Sequence, residues 1–357
     1  MKKNKKTVVV IVMLLCMAVF LCSCGGGSSI MKNASSDVAP AIKKVSGSPL
    51  ARADGFAANI AVVPADASNS PESDKLHSEA ALLVDVNEGK VLFQKNAHHK
   101  EYPASTTKVL TSLIALKYGD KTASRKIGDE VIIREDNVVM CDYRVGDEVS
   151  FDVMIHGAMM RSGNDAAAAL ALFTADSLSD FADLMNREAL ELGATESHFA
   201  NPHGLYDDNH YTTAYDLYLI FNEAIKYPDF ISVLSCLKYD GSFNRTTAYG
   251  NYIINVSYNN TNQYLTGQRS TPDYIKIVGG KAGYTELARR SYVMLAEANG
   301  HKYILVTMRC DDVNWMYDDL DFLLSLIPDE DTGIQQTEDE SKAEASENET
   351  MQYRDDD

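Results

Sequence analysis

The chain has 357 residues, 45% hydrophobic and 24% charged, an ordinary globular composition with room for one large domain or two small ones. Its formal net charge of −18 excludes a nucleic-acid binder, which needs a basic face. Much of the acidity sits at the end, where Asp329 to Asp357 carries twelve acidic residues against Lys342 and Arg354, so positions 329–357 read as a solvated, disordered tail.

At the start, Lys2, Lys3, Lys5 and Lys6 precede an almost wholly apolar run from Thr7 to Leu21. The run is short for a membrane span and reads as an export signal over positions 1–23. It ends in Leu21-Cys22-Ser23-Cys24-Gly25, which resembles the lipobox of bacterial lipoproteins. That resemblance makes Cys24 the lipidated first residue of the mature chain. An uncleaved anchor helix with incidental cysteines is the other reading, and both put the remainder outside the cytoplasm beside a membrane. Positions 24–75, rich in Gly, Ser, Ala, Asn and Pro, read as a flexible tether. Such a chain spans roughly 40 Å, at 5–6 Å times the square root of its length.

A folded domain is expected over 76–328. Ala80–Val86 reads as a strand, Asn87-Glu88-Gly89-Lys90 as a turn and Val91–Phe93 as the returning strand. Helical patterns follow at Ser105–Lys117, Phe151–Met159, Asp165–Thr174, Leu178–Leu192 and Thr213–Lys226, the last with Pro228 beyond its end. Ser291–Glu297 and Lys302–Arg309 flank Asn299-Gly300, a strong hairpin signal, and a last amphipathic helix fits Trp315–Ile327. Strands at both ends with helices between predict an α+β fold, in which one antiparallel sheet pairs the two chain ends. Cys141, Cys236 and Cys310 form no metal-binding pattern; one disulfide or three thiols would both fit.

Three short constellations carry the chemistry. Ser105-Thr106-Thr107-Lys108 follows Pro103, which disfavours helix before it, so serine and lysine lie one turn apart on one helical face. A lysine whose ammonium is destabilised can take a serine's proton. Arg161-Ser162-Gly163-Asn164-Asp165 sits between two apolar helical segments and suggests a tight loop facing a cleft. Gly279-Gly280-Lys281-Ala282-Gly283-Tyr284-Thr285 places glycines where a substrate backbone could approach a strand, with Lys281 as a positive charge. Each alone also fits a plainer reading: an N-cap with an exposed lysine, a helix–helix turn, a glycine-rich turn.

Together, and in this order behind an export signal, they match the signature of penicillin-binding proteins and class A β-lactamases. The stretch from about Ala80 to Ile327 resembles the low-molecular-mass D-alanyl-D-alanine carboxypeptidases, peptidase family S11. Pro103 to Lys108 and Ser162 to Ala167 look like its two active-site blocks. Leu192-Gly193-Ala194, Asn201 to Leu205 and Tyr211 to Leu217 are similar to a connecting block that β-lactamases lack. The resemblance implies a β-lactamase/D,D-peptidase-like fold: about five antiparallel strands flanked by helices, with a mainly helical subdomain. It implies Ser105 as nucleophile, Lys108 as its base and Ser162 as proton relay. Asn164, Lys281, Gly283, Tyr284 and Thr285 would bind substrate, with Ser105 and Tyr284 N–H groups as oxyanion hole. Peptidoglycan stem peptides would be substrates and β-lactams covalent inhibitors, with no metal or organic cofactor; His198, His203 and His210 match no ligand spacing.

Two positions depart from the family. Its Lys-Thr-Gly is Lys281-Ala282-Gly283 here, without the threonine hydroxyl that donates to the substrate's terminal carboxylate. An arginine that helps fix that carboxylate in relatives aligns with Met316 or a neighbour, and Thr285 or Arg289 could substitute. Three readings stay open: a D,D-carboxypeptidase, a D,D-endopeptidase on crosslinks, and a low-turnover wall-binding lipoprotein.

Overall fold

The computed structural model describes residues 60–329. The expected signal peptide, Cys24 and the acidic tail beyond 329 lie outside the described residues. Strand β1 (Ala80–Asp85) is buried at all six positions, because it pairs with β2 (Lys90–Lys95) on one side and β9 (His301–Cys310) on the other. A strand enclosed this way needs a continuous apolar run rather than alternation. The turn after it is held by the Asp85 carboxylate, which accepts the N–H groups of Asn87 and Glu88.

The far side of β9 pairs with β8 (Arg289–Ala298) through the Asn299-Gly300 turn. Both turn residues adopt positive φ, 52° and 81°, as a two-residue hairpin turn requires. Strand β7 (Ile275–Thr285) closes the sheet, whose order is β2-β1-β9-β8-β7, all antiparallel. The two chain ends therefore meet at the β1–β9 ladder, as expected, and β7 is left as an edge.

Alternation along β8 and β9 separates two cores. Val293, Leu295, Ile304 and Val306 face the helical part, whereas Tyr292, Met294, Tyr303 and Leu305 face the last helix, α7 (Val313–Ser325). In the helical part α1 (Lys108–Tyr118) is buried from Lys108 through Leu116, and α3 (Asn164–Ala171) is buried throughout, its alanines allowing close approach. Helix α2 (Phe151–His156) runs on into a π turn, Gly157–Arg161. Helices α4 (Leu178–Glu191) and α5 (Ala214–Ala224) begin at Ser177 and Thr213, whose side chains accept the N–H of Asp180 and Asp216.

Three expectations need correction. Pro228 does not merely follow a helix: α5 stops at Ala224 and Pro228 opens a further helix, α6 (Pro228–Ser235), since proline at the first position lacks only an N–H that would go unbonded there. A second antiparallel sheet, β3 (Ser124–Lys126), β4 (Glu148–Ser150), β5 (Lys238–Thr247) and β6 (Gly250–Asn259), was not anticipated. Its long β5–β6 hairpin buries only Phe243 and Tyr258, so little apolar patterning announced it.

The tether boundary also moves. Residues 60–75 pack on the domain: Ala61 and Val63 are buried, the Ala61 N–H donates to Tyr218 Oη at 3.1 Å, and Ser70 N–H donates to Gln94 O at 2.8 Å. Cys141, Cys236 and Cys310 are free thiols. Among the described residues no helix is long and apolar enough to cross a membrane.

Candidate active site

Ser105 sits in a 3₁₀ turn, Ala104–Thr107, that leads into α1, so the regular helix begins three residues later than the sequence suggested. Ala104 is held at φ 49°, a left-handed conformation that costs a non-glycine residue about 1–3 kcal/mol. The segment around Gly204 packs directly against it. Gly204, at φ 86°, approaches so closely that a Cβ there would lie 1.8 Å from the Ala104 carbonyl oxygen. The block around Asn201–Leu205 is thus the bed of the Ser105 turn, a role its sequence did not disclose. Thr111 Oγ1 donates to Pro202 O at 2.6 Å, and Thr107 Oγ1 meets His210 Nε2 at 2.8 Å. Burial pushes His210 down to about 4 and His203 down to about 3, so both imidazoles are neutral structural groups.

Lys108 is fully buried and its Nζ meets three oxygens: Ser105 Oγ at 2.9 Å, Asn164 Oδ1 at 2.8 Å and His203 O at 2.6 Å. An ammonium has three donors and no acceptor; a neutral amine has two donors and one lone pair. With Asn164 and His203 accepting two hydrogens, a neutral Lys108 would turn its lone pair to the Ser105 hydroxyl. Burial, and after it the charge of Lys281, lowers its pKa well below the ordinary lysine value.

Ser162 follows the π turn in a left-handed conformation (φ 65°), which aims its hydroxyl back across the cleft. There Lys281 Nζ, on β7, donates to Ser162 Oγ at 2.9 Å and to Ala282 O at 3.0 Å. Lys281 is also buried, which lowers its pKa to about 7. Asp165, at the start of α3, has a structural task. Its carboxylate accepts the N–H groups of Cys141 and Tyr143 at 2.8 and 3.0 Å and so fastens the 141–143 segment beside α3.

A cavity of about 710 Å³ collects these elements. Ser105, Ser162, Asn164, Lys281, Gly283, Tyr284 and Thr285 all line it, with Lys108 behind the wall. Gly283 lets the edge strand touch the Ser105 turn: a Cβ there would stand 2.8 Å from Pro103 O and 3.0 Å from Ser105 N. Of the two suggested substitutes for the missing threonine hydroxyl, Thr285 lines the cavity, its hydroxyl accepting the Ala288 N–H at 3.0 Å and keeping its own hydrogen to donate. Arg289 instead pairs with Asp311 at 3.2 Å, away from the lining. Met316 does line the wall, and it is buried.

A family profile described as D-alanyl-D-alanine carboxypeptidase, peptidase S11, matches residues 67–312. The chain belongs to that family. Among curated S11 relatives, the D-alanyl-D-alanine carboxypeptidase DacF of Bacillus subtilis (strain 168) is 31% identical over 225 residues, covering 62% of this chain and 54% of the relative. DacA of Escherichia coli (strain K12) is 34% identical over 165 residues, covering 44% of this chain and 41% of the relative. The matched part thus spans about half the length of these relatives, or less. The solved D-alanyl-D-alanine carboxypeptidase of Mycobacterium tuberculosis H37Rv superposes with a TM-score of 0.60 at 26% identity, over 74% of this chain and 95% of that one. The Streptomyces K15 DD-transpeptidase, at 24% identity and a TM-score of 0.64 over 70% and 97%, attests the shared fold. The α+β, D,D-peptidase-like architecture expected from the sequence is the one observed.

Proposed function

We propose that the protein is a serine D-alanyl-D-alanine carboxypeptidase that shortens peptidoglycan stem peptides through an acyl-enzyme on Ser105. The observation that carries this reading is Lys108: a buried amine of lowered pKa, 2.9 Å from the Ser105 hydroxyl. An extended peptide would add to the free edge of β7 by main-chain pairing. Asn164, whose Oδ1 is engaged by Lys108, keeps its amide N–H₂ for a substrate carbonyl.

Lys108 takes the Ser105 proton as Oγ bonds the carbonyl carbon between the two D-alanines. The oxyanion faces the N–H groups of Ser105 and Tyr284, preorganised donors of the kind that contribute most to acyl transfer. Ser162, within the Lys281 hydrogen bond, gives its proton to the leaving nitrogen as the C–N bond breaks and regains one from Lys108, whose amine is then neutral again. Water, deprotonated by Lys108, then attacks the ester and frees the shortened peptide. β-Lactams would acylate the same oxygen. The same chemistry on an internal crosslink is favoured by one observation: Ala282 offers no hydroxyl to a terminal carboxylate. By its export signal and lipobox, the protein would work outside the cytoplasm, held to the membrane through lipidated Cys24.

Two measurements test this. Fluorescent penicillin should label the wild-type protein covalently, and Ser105→Ala should abolish the band. Incubation with a stem pentapeptide should then release D-alanine faster than a crosslinked dimer is cut. Preferential cutting of the dimer would instead establish the endopeptidase. An unlabelled yet folded wild-type protein would refute the serine chemistry and favour a wall-binding lipoprotein.

A further inference from the structure

The cavity wall carries three cations: Arg161, Lys281 and Arg290. Lys281 is occupied by Ser162 and the Ala282 carbonyl, and Arg161 is exposed to solvent. Arg290 differs from both. It is half-buried, its guanidinium lies 4.7 Å from the centre of the Tyr284 ring, and its Nε is shut off from solvent without a hydrogen-bond partner. Arg245, Arg269, Arg289 and Arg309 each face a carboxylate. No ion pair holds Arg290 among the described residues. A guanidinium stays protonated at any working pH, and one left partly desolvated with a buried unsatisfied donor is costly until an anion arrives.

Its position says which anion. In the β7–β8 ladder Tyr284 lies opposite Arg290 and Ala282 opposite Tyr292, so Ala282, Tyr284 and Arg290 share one face of the sheet. Arg290 is the diagonal neighbour of Ala282, about 7–8 Å away between backbones, within easy reach of so long a side chain. The Ala282 methyl offers nothing polar, and Met316 brings no charge from α7 to the same wall.

We infer that Arg290 is the specificity-determining residue that reads a carboxylate of the substrate beside Ala282, by the forked N–H geometry that suits a carboxylate. A strand cation thereby takes over from a strand hydroxyl and a helix cation. The Tyr284 ring keeps the guanidinium aimed while the site is empty. The inference rests on the proposed carboxypeptidase reading.

The test compares wild type, Arg290→Gln and Arg290→Lys on a pentapeptide ending in D-Ala-D-Ala as free acid and as C-terminal amide. In parallel, acylation is timed with benzylpenicillin and with its methyl ester, and thermal melting checks folding. A hydrogen bond to a charged group is worth roughly 10- to 150-fold in kcat/KM, so Arg290→Gln should lower the acid-to-amide ratio by about that factor. The loss should fall mostly on KM, and Arg290→Lys should recover part of the preference. An unchanged acid-to-amide ratio in a folded Arg290→Gln protein would overturn the inference. If wild type cleaves neither peptide, the carboxypeptidase reading fails by itself, and the penicillin pair decides for Arg290. Slower acylation by the free acid alone supports it; equal rates, or equal slowing by acid and ester, overturn it.

Discussion

Lys108 and Lys281 occupy one water-poor site and their charges oppose each other, so the pH behaviour of the protein is written in two residues. Burial is the larger cause of the lowered Lys108 pKa, and the positive charge of Lys281 is the next. In the proposed mechanism acylation needs the neutral amine, so its rate should fall on the acid side at a pH well below the ordinary lysine value. Without that lowering, only about one Lys108 in three thousand would be neutral at pH 7, at tenfold per pH unit. The sign of the coupling gives the prediction. At and below about pH 7 Lys281 is still substantially protonated and favours neutral Lys108. Lys281→Met removes that repulsion, so Lys108 should hold its proton to higher pH. The acid limb of the pH–acylation profile should then move toward alkaline pH, while Lys281→Arg, which keeps the charge, should leave it nearer the wild-type position. A limb unmoved by Lys281→Met would mean that the two side chains do not sense each other.

At the scale of elements, the site depends on an edge strand lying against a turn. Gly283 is the contact, and a methyl group there would press on the backbone of Pro103, Ser105 and Thr106 within 3.0 Å. Gly283→Ala should push β7 outward with little loss of stability, since an edge strand can yield. A misplacement of about 1 Å costs roughly 10²-fold in rate. Stopped-flow acylation of Gly283→Ala, beside its melting temperature, would separate that geometric loss from unfolding. The same elements show what a sequence can disclose. Ser105 and Lys108 were legible because a helical spacing alone puts them on one face, and the Asn299-Gly300 hairpin because its turn chemistry is specific. That Lys281 would reach Ser162 across 119 residues could be expected only from the resemblance to a family. The bed under Ser105 was not legible: Gly204 and the His203 carbonyl act through backbone position, which leaves no residue-type signal. Nor was Arg290 separable from Arg289, adjacent in sequence, until the β7–β8 register put the two on opposite faces.

The whole molecule adds a constraint on where the folded unit begins. Composition suggested a loose tether up to residue 75, yet the chain is seated on α5 from residue 61. Tyr218 Oη accepts the Ala61 N–H, Tyr215 Oη donates to the Ala61 carbonyl at 3.2 Å, and His98 Nε2 meets Val63 O at 2.8 Å. Ala61 and Val63 lie in the same apolar cluster as α1 and α3. A buried valine side chain contributes about 1.5–3 kcal/mol and each hydrogen bond about 1 kcal/mol, and the entropy of ordering the segment offsets part of this. A net loss of about 2 kcal/mol is therefore expected when the chain is cut to begin at Leu76 instead of Ile60. For a domain of this size that corresponds to roughly 4–8 °C in Tm. None of residues 60–75 lines the cavity, so penicillin acylation at low temperature should be unchanged in the shorter protein. Equal melting temperatures would mean that the contacts of this segment add no net stability. A lower Tm with intact acylation would make residues 61–75 part of the folded unit.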